Sequence, residues 1–302
     1  MTRNRRPADA SLGGIMLVLC AVWGVQQVVI KVAAPDLPAI LQVALRSGIS
    51  ALLVGATLRI RGERLAGQGA TLLPGLLAGG LFAAEFLFVA EGLRYTDASH
   101  MSVFLYTAPV FTALGLHLRL PSERLSGRQW AGVAISFCGI ALAFAGGWMR
   151  AELRAQMLLG DLLGVLAGIA WGATTVVVRG SRLSEAPAGL TLLYQLATGF
   201  VLLSLAGLAM GQASRVTMTP VAWASLLFQG VVVSFASYLA WFALLRRYLA
   251  SHLAVLSFMT PLFGVSAGAL FLGERLDPLF LAGAALVLGG IGVVMTASRS
   301  RR

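Results

Sequence analysis

Ten stretches of mostly apolar residues fill this chain almost end to end, at 11–31, 38–58, 71–93, 98–118, 128–148, 159–179, 187–210, 219–245, 251–273 and 277–297. Each is close to the roughly 20 residues that a membrane-spanning helix needs. The linkers are short and hold the glycine, proline and charge, as at 35–38, 59–69, 119–127, 179–187 and 211–220. Nothing is left over for a soluble domain. Composition agrees, because only 12% of the 302 residues are charged, about half the usual share for a soluble domain. The predicted fold class is an all-α integral membrane protein of ten transmembrane helices, with the lipid bilayer as its solvent.

The first run follows Arg3, Arg5 and Arg6, and a cleaved signal peptide is the competing reading. Its apolar stretch is longer than the roughly 7–15 residues of a signal core, so it reads as a retained helix. The formal charge of +11 does not point to nucleic acid, because the basic residues are scattered singly or in small groups between apolar runs rather than gathered on one face. With both termini cytoplasmic, 16 Lys and Arg fall in cytoplasmic segments and 6 in external ones, with Arg46 inside a span. That is the asymmetry the positive-inside rule expects. An odd number of spans would separate the two arginine-rich termini. The expected location is the cell (inner) membrane. Cys20 and Cys138 lie inside apolar runs and form neither a disulfide framework nor a zinc motif; no metal or cofactor is expected.

The chain also repeats itself. Ser122-Glu123-Arg124-Leu125 returns as Gly273-Glu274-Arg275-Leu276, and Ala98-Ser99-His100 as Ala250-Ser251-His252. Pro109 matches Pro261, and Trp23-Gly24 matches Trp171-Gly172. The order is kept and the offset stays between 148 and 152 residues. These matches predict two five-helix repeats, residues 1–150 and 151–302. Five is odd, so the second repeat must be inverted in the membrane. Inverted repeats are a recurrent transporter architecture, with substrate bound near the midplane and access alternating between the two sides.

The Trp-Gly pairs of spans 1 and 6, the mid-span prolines of spans 4 and 9, and the Glu-Arg-Leu turns before spans 5 and 10 make the chain resemble the drug/metabolite transporter superfamily, EamA type. The resemblance covers almost the whole sequence. It implies a ten-helix fold and export of amino acids or other small metabolites. Within the superfamily the YddG-like exporters of aromatic and other amino acids are the nearest in kind.

Candidate site residues gather at mid-depth. Pro109 and Pro261 lie about ten residues into their spans, where proline removes a backbone hydrogen bond and kinks the helix. The freed carbonyls need a partner or a wet cavity, so both prolines are candidates for a kink, a gate or a cavity wall; a packing kink is the plainer alternative. Trp23 and Gln27 share a helix face, as do Trp171 and Thr175. Span 4 offers Ser99, Ser102 and Tyr106; span 8 offers Ser234, Ser237, Tyr238 and Trp241; span 9 offers Ser257 and Phe258. Interhelical packing competes with a pocket for any one of these. As a group they suit a zwitterion with an apolar or aromatic side chain.

Glu85 and Arg46 are charges inside spans, both about 12 Å below the external surface at 1.5 Å per residue. An intramembrane ionisable group suggests function: Glu85 as a proton or ammonium site, or else a structural Glu85–Arg46 pair, or Arg46 bonded to helix carbonyls. Glu91 and Arg94 read as an interfacial pair. His100 and His252 read as structural groups at helix starts. Gly132, Gly139, Gly283 and Gly290 have the seven-residue spacing of a close-packed seam, within the scaffold or in a dimer; monomer and homodimer both stay open.

No catalytic constellation and no P-loop appears, so an enzyme is not expected. The sequence predicts a secondary exporter of small metabolites, amino acids including aromatic ones foremost, with protons as the candidate coupled ion. A channel-like pore and an exporter of cationic drugs or other metabolites are the alternatives.

Overall fold

A backbone surrounded by lipid must satisfy its own polar groups, so each apolar run closes its hydrogen bonds internally as helix. The computed structural model describes residues 10–62, 69–119, 125–148, 154–247, 256–257 and 259–297. The helices are α1 (Ala10–Ala33), α2 (Ala39–Ile60), α3 (Gly69–Gly92), α4 (Ala98–Leu105), α5 (Ala108–Arg119), α6 (Gly127–Trp148), α7 (Arg154–Arg179), α8 (Ala188–Ala209), α9 (Pro220–Leu227), α10 (Tyr238–Arg247), α11 (Met259–Leu272) and α12 (Pro278–Ala297). A π-helical segment, Phe228–Ser237, joins α9 to α10 without a break. The described residues contain no strand.

Seven of these stretches, with α4–α5 counted as one and α9 through the π segment into α10 as another, are each long and apolar enough to cross a membrane. Met259–Leu272 and Pro278–Val293 are shorter apolar helices, and α6 completes a ten-span, all-α membrane protein. Short connections reverse the chain at each end. We call the side where α1, α3 and α8 begin the terminal face, and the opposite side the distal face.

The distribution of side chains is that of a protein dissolved in lipid. Leu52, Leu118 and Leu270 point outward, 76–82% exposed, while Gln42, Arg46, Ser50, Asp161 and Gln229 are wholly buried. Most of this buried polarity is internally bonded. Gln42 donates to the carbonyls of Ile30 and Leu37 and accepts from Ser225 and Gln229 at 2.9 and 2.8 Å. At the distal face Asp36 accepts from the Thr219 hydroxyl, and its carbonyl from the Thr217 N–H.

Helices α6 and α12 pack backbone to backbone. A Cβ on Gly139 would stand 2.6 Å from the Val287 nitrogen, and one on Gly283 would stand 2.6 Å from the Ala143 nitrogen. Gly290 meets Gly132 in the same way. The seven-residue glycine spacing is therefore a seam inside one chain, occupied by the chain's own helices and not by a second copy.

Two spans depart from regular helix. Span 4 breaks at Tyr106–Thr107, and Pro109 becomes the second residue of a new helix, where its missing N–H and fixed φ are tolerated. The Phe104 carbonyl accepts from both the N–H and the hydroxyl of Thr107. Pro261 is likewise the third residue of α11, and Thr260 donates back to the Ser257 carbonyl. Span 8 carries ten π-helical residues, so its serines and Tyr238 do not keep the one-turn spacing that α-periodicity gives them.

Candidate substrate cavity

One cavity of about 490 Å³ runs from mid-depth to the terminal face. Its deep end holds Gln26, Gln27 and Glu85, its waist Tyr106, Trp171, Tyr238 and Trp241, and its mouth Val178, Arg179 and Thr191.

The repeated Trp-Gly pairs build the waist by one device used twice. Trp23 points into the cavity while Gly24 lets α1 close on α11, its absent Cβ standing 2.7 Å from the Gly264 nitrogen and 2.9 Å from the Thr260 carbonyl. Trp171 also lines the cavity while Gly172 closes α7 on α5, at 3.0 Å from the Thr112 nitrogen and 3.1 Å from the Ala108 carbonyl. Thr260 and Ala108 are the residues preceding Pro261 and Pro109. Each tryptophan is thus anchored beside a proline-started helix.

The aromatic rings form two groups. Trp23 lies edge-on to Trp241 with centroids 5.5 Å apart and tilted to Tyr238 at 6.5 Å. Tyr106 and Trp171 meet edge-to-face at 5.3 Å. Such arrangements suit the ring quadrupoles. The Trp23 indole N–H donates to the Ser237 hydroxyl at 2.7 Å, which in turn donates to the Val233 carbonyl.

Of the nine residues expected to bind substrate, the structure brings eight to this cavity: Trp23, Gln27, Glu85, Tyr106, Trp171, Thr175, Tyr238 and Ser257. Ser237 is not on the wall; it stands behind Trp23 and fixes its ring. Pro109 and Pro261 do not line the cavity either, contrary to the expectation of a cavity wall. Each proline sits inside a helix, and Tyr106 and Ser257, three and four residues earlier, face the space. His252, Phe258 and the Ser122–Arg124 turn lie outside the described residues.

The charged residues differ most from expectation. Arg46 is neither paired with Glu85 nor bonded to helix carbonyls. Its guanidinium lies 4.2 Å over the Phe86 ring, and Nε, Nη1 and Nη2 have no hydrogen-bond partner among the described residues. Glu85 is Phe86's neighbour in sequence and projects about 100° away around α3, to the cavity. Glu91 and Arg94 do form an ion pair. His100 sits at a helix start but is deeply buried: Nδ1 meets Asp161 at 3.0 Å, and its ring stacks flat on Phe280 at 3.8 Å. Ser99 and Ser102 point to α11 and its turn rather than to the cavity.

Sequence reasoning missed Gln26, Phe82, Phe86, Thr174, Thr191 and Gln195 on the wall. Thr191 and Gln195 are one helical turn apart, a spacing that could have flagged them.

At the distal face the space is closed. The Lys31 ammonium reaches the Asp97 and Glu274 carboxylates, each at 3.2 Å, and the Thr96 carbonyl at 3.0 Å. Gly273 ends α11 in the left-handed conformation, φ +65°, which glycine adopts without strain. The turn aims Glu274 at the start of α4, where it accepts from Ala98 N–H, Ser99 N–H and the Ser99 hydroxyl. Burial alone would raise the Glu274 carboxyl; the hydrogen bonds from Ser99 and Ala98 and the charge of Lys31 outweigh it and hold it below the usual carboxylate range. No group of three or more metal-ligating side chains occurs among the described residues.

Comparison with known proteins agrees with this architecture. The profile of the EamA-like transporter family matches twice, at residues 11–145 and 158–296. A probable amino-acid metabolite efflux pump of Salmonella typhimurium is 28% identical over 96% of both chains, and its Escherichia coli namesake is 27% identical over the same share. An uncharacterized transporter of Archaeoglobus fulgidus is 29% identical over 70% of each chain. A crystal structure with 21% identity superposes with a TM-score of 0.66, covering 97% of this chain and all of the other, which is a likeness of fold. The chain belongs to the EamA-like transporter family and is a membrane transporter, not an enzyme.

Proposed function

We propose that the protein exports small metabolites, foremost amino acids including aromatic ones, by alternating access between two inverted repeats, residues 1–150 and 151–302. The carrying observation is the cavity itself, closed at one face and extending to the other, with amide and carboxylate groups at its deep end and aromatic rings at its waist. Its volume lies within the roughly 300–1,000 Å³ of ligand sites. An ammonium or carboxylate would sit at the polar end while an apolar side chain lies among Trp23, Tyr106 and Trp171. The names of the enterobacterial relatives support the same substrate class.

The Trp-Gly pairs that close on opposite X-Pro steps support the duplication, because each half supplies the tryptophan and the other half the helix it packs on. With the arginine-rich terminal face cytoplasmic, the described state is open to the inside. Glu85 takes the substrate ammonium when charged and a proton when the site is empty, which makes the carrier a proton antiporter. Closure by Lys31 and Glu274 argues against a standing pore.

Counterflow of labelled phenylalanine and leucine in proteoliposomes tests the reading. Saturable exchange is expected, reduced at least about tenfold in Trp171→Ala, the loss expected of an aromatic anchor in a binding pocket. Unsaturable flux would mark a pore, and absence of exchange with any amino acid would remove the substrate class.

A further inference from the structure

A guanidinium inside a membrane protein normally finds a carboxylate, a carbonyl or water. Arg46 is 0% exposed and hydrogen-bonds to neither a carboxylate nor a carbonyl among the described residues. Its contact is the face of Phe86, and cation–π attraction offsets only part of the cost of burying a charge. Phe86 is itself a wall of the cavity, next to Phe82 at a centroid distance of 4.8 Å. One aromatic ring therefore separates a cation with three idle donor nitrogens from the substrate space. Glu85, next to Phe86 in sequence, lines that space.

The neighbouring helix adds to the picture. The π-helical segment packs on α2 one turn from Arg46, where the Ser50 hydroxyl donates to the Gly230 carbonyl at 2.8 Å. Ser234, in the same segment, is fully buried with its hydroxyl unpartnered among the described residues. π-helical turns are rare and concentrate at functional sites. Two packed elements, α2 and the π-helical segment, thus each bury a donor that has no partner among the described residues.

We propose that Arg46 is the carboxylate-recognition group of the cavity, reached when the Phe86 ring turns aside. This rests on the amino-acid reading of the same cavity and deepens it. Glu85 in the wall and Arg46 behind the ring present opposite charges at one depth, which matches the ammonium and carboxylate of a zwitterion. Arg46 forms a bidentate pair with the carboxylate, a geometry that a lysine cannot reproduce.

The test uses three probes on the purified full-length protein: phenylalanine, phenylalaninamide, which lacks the carboxylate, and phenylacetate, which lacks the ammonium. Wild type is expected to bind phenylalanine at least about tenfold more tightly than the amide, the yield of one charge-assisted bond. In Arg46→Gln this preference falls below about threefold while amide affinity changes little, and Arg46→Lys recovers only part of it. A folded Arg46→Gln protein that keeps the full preference overturns the proposal. If phenylalanine is neither bound nor exchanged, but phenylacetate binds and is lost in Arg46→Gln, the amino-acid reading falls and the carboxylate site stands. If wild type binds no carboxylate probe, the Arg46 proposal falls. Should Arg46→Gln not fold, Phe86→Ala decides. Removing the ring opens the cation to the cavity, so the preference for carboxylate over amide rises about threefold or more; an unchanged preference overturns the role.

Discussion

At the scale of single residues, the contrast between Glu85 and Arg46 carries the chemistry. Both are buried charges of opposite sign at one depth, yet one faces the cavity and the other lies behind an aromatic ring. If a proton and a substrate ammonium compete for Glu85, exchange slows as pH falls, because the protonated carboxyl no longer attracts the ammonium. Glu85→Gln keeps the shape and removes the charge. The variant is expected to fold and to exchange substrate at a rate independent of pH between 5 and 8. A pH profile that stays parallel to wild type would rule Glu85 out of the coupling. The sequence marks both charges as exceptional, but not their partners. Side-chain directions around a helix are set by neighbours that one chain's periodicity does not reveal, and so the Phe86 shield is visible only in three dimensions.

At the scale of elements, the α6–α12 seam and the Trp-Gly steps depend on glycine for close approach. A methyl group at Gly139 would press on the backbone of α12, whereas one at Gly289 meets nothing within 4 Å. Thermal unfolding in detergent is therefore expected to show Gly139→Ala destabilised by about 1–3 kcal/mol through overpacking. Gly289→Ala should be neutral, or stabilising by up to about 1 kcal/mol from helix propensity. Equal effects of the two would remove the seam. The ten spans and this glycine rhythm were legible in the sequence because length and small-residue spacing survive without an alignment. The π segment was not, since its residues are ordinary apolar ones. Nor was Phe86 as a wall residue: helices apolar all round have no polar face to show which side turns inward.

For the molecule as a whole, the distal closure ties α1, the start of α4 and the turn before α12 together through Lys31, Ser99 and Glu274. Because the folded-state Glu274 carboxyl lies below its ordinary value, its contribution is complete above that ordinary value, about 4.3. The contribution is lost only as the pH falls on through the lowered folded-state value, so the closure holds across the physiological range. Glu274→Ala leaves Lys31 and the α4 start without this partner and favours a state open at the distal face. A cysteine placed at Gln27, with Cys20 and Cys138 replaced by alanine, reports it. Labelling by an impermeant thiol reagent from the distal side is expected to quicken about tenfold, the effect of losing a charged hydrogen bond. An unchanged rate would show that other contacts hold this face shut. The placement of the aromatic residues has an optical consequence as well. Three of the six tryptophans, Trp23, Trp171 and Trp241, line the cavity, and Trp23 is hydrogen-bonded at its indole N–H. Trp130 and Trp223 are outward, about half exposed. Ultraviolet emission from the unlabelled protein therefore carries a large share from indoles that see water when the site is empty and ligand when it is filled. The transporter brings its own fluorescent indicator of occupancy.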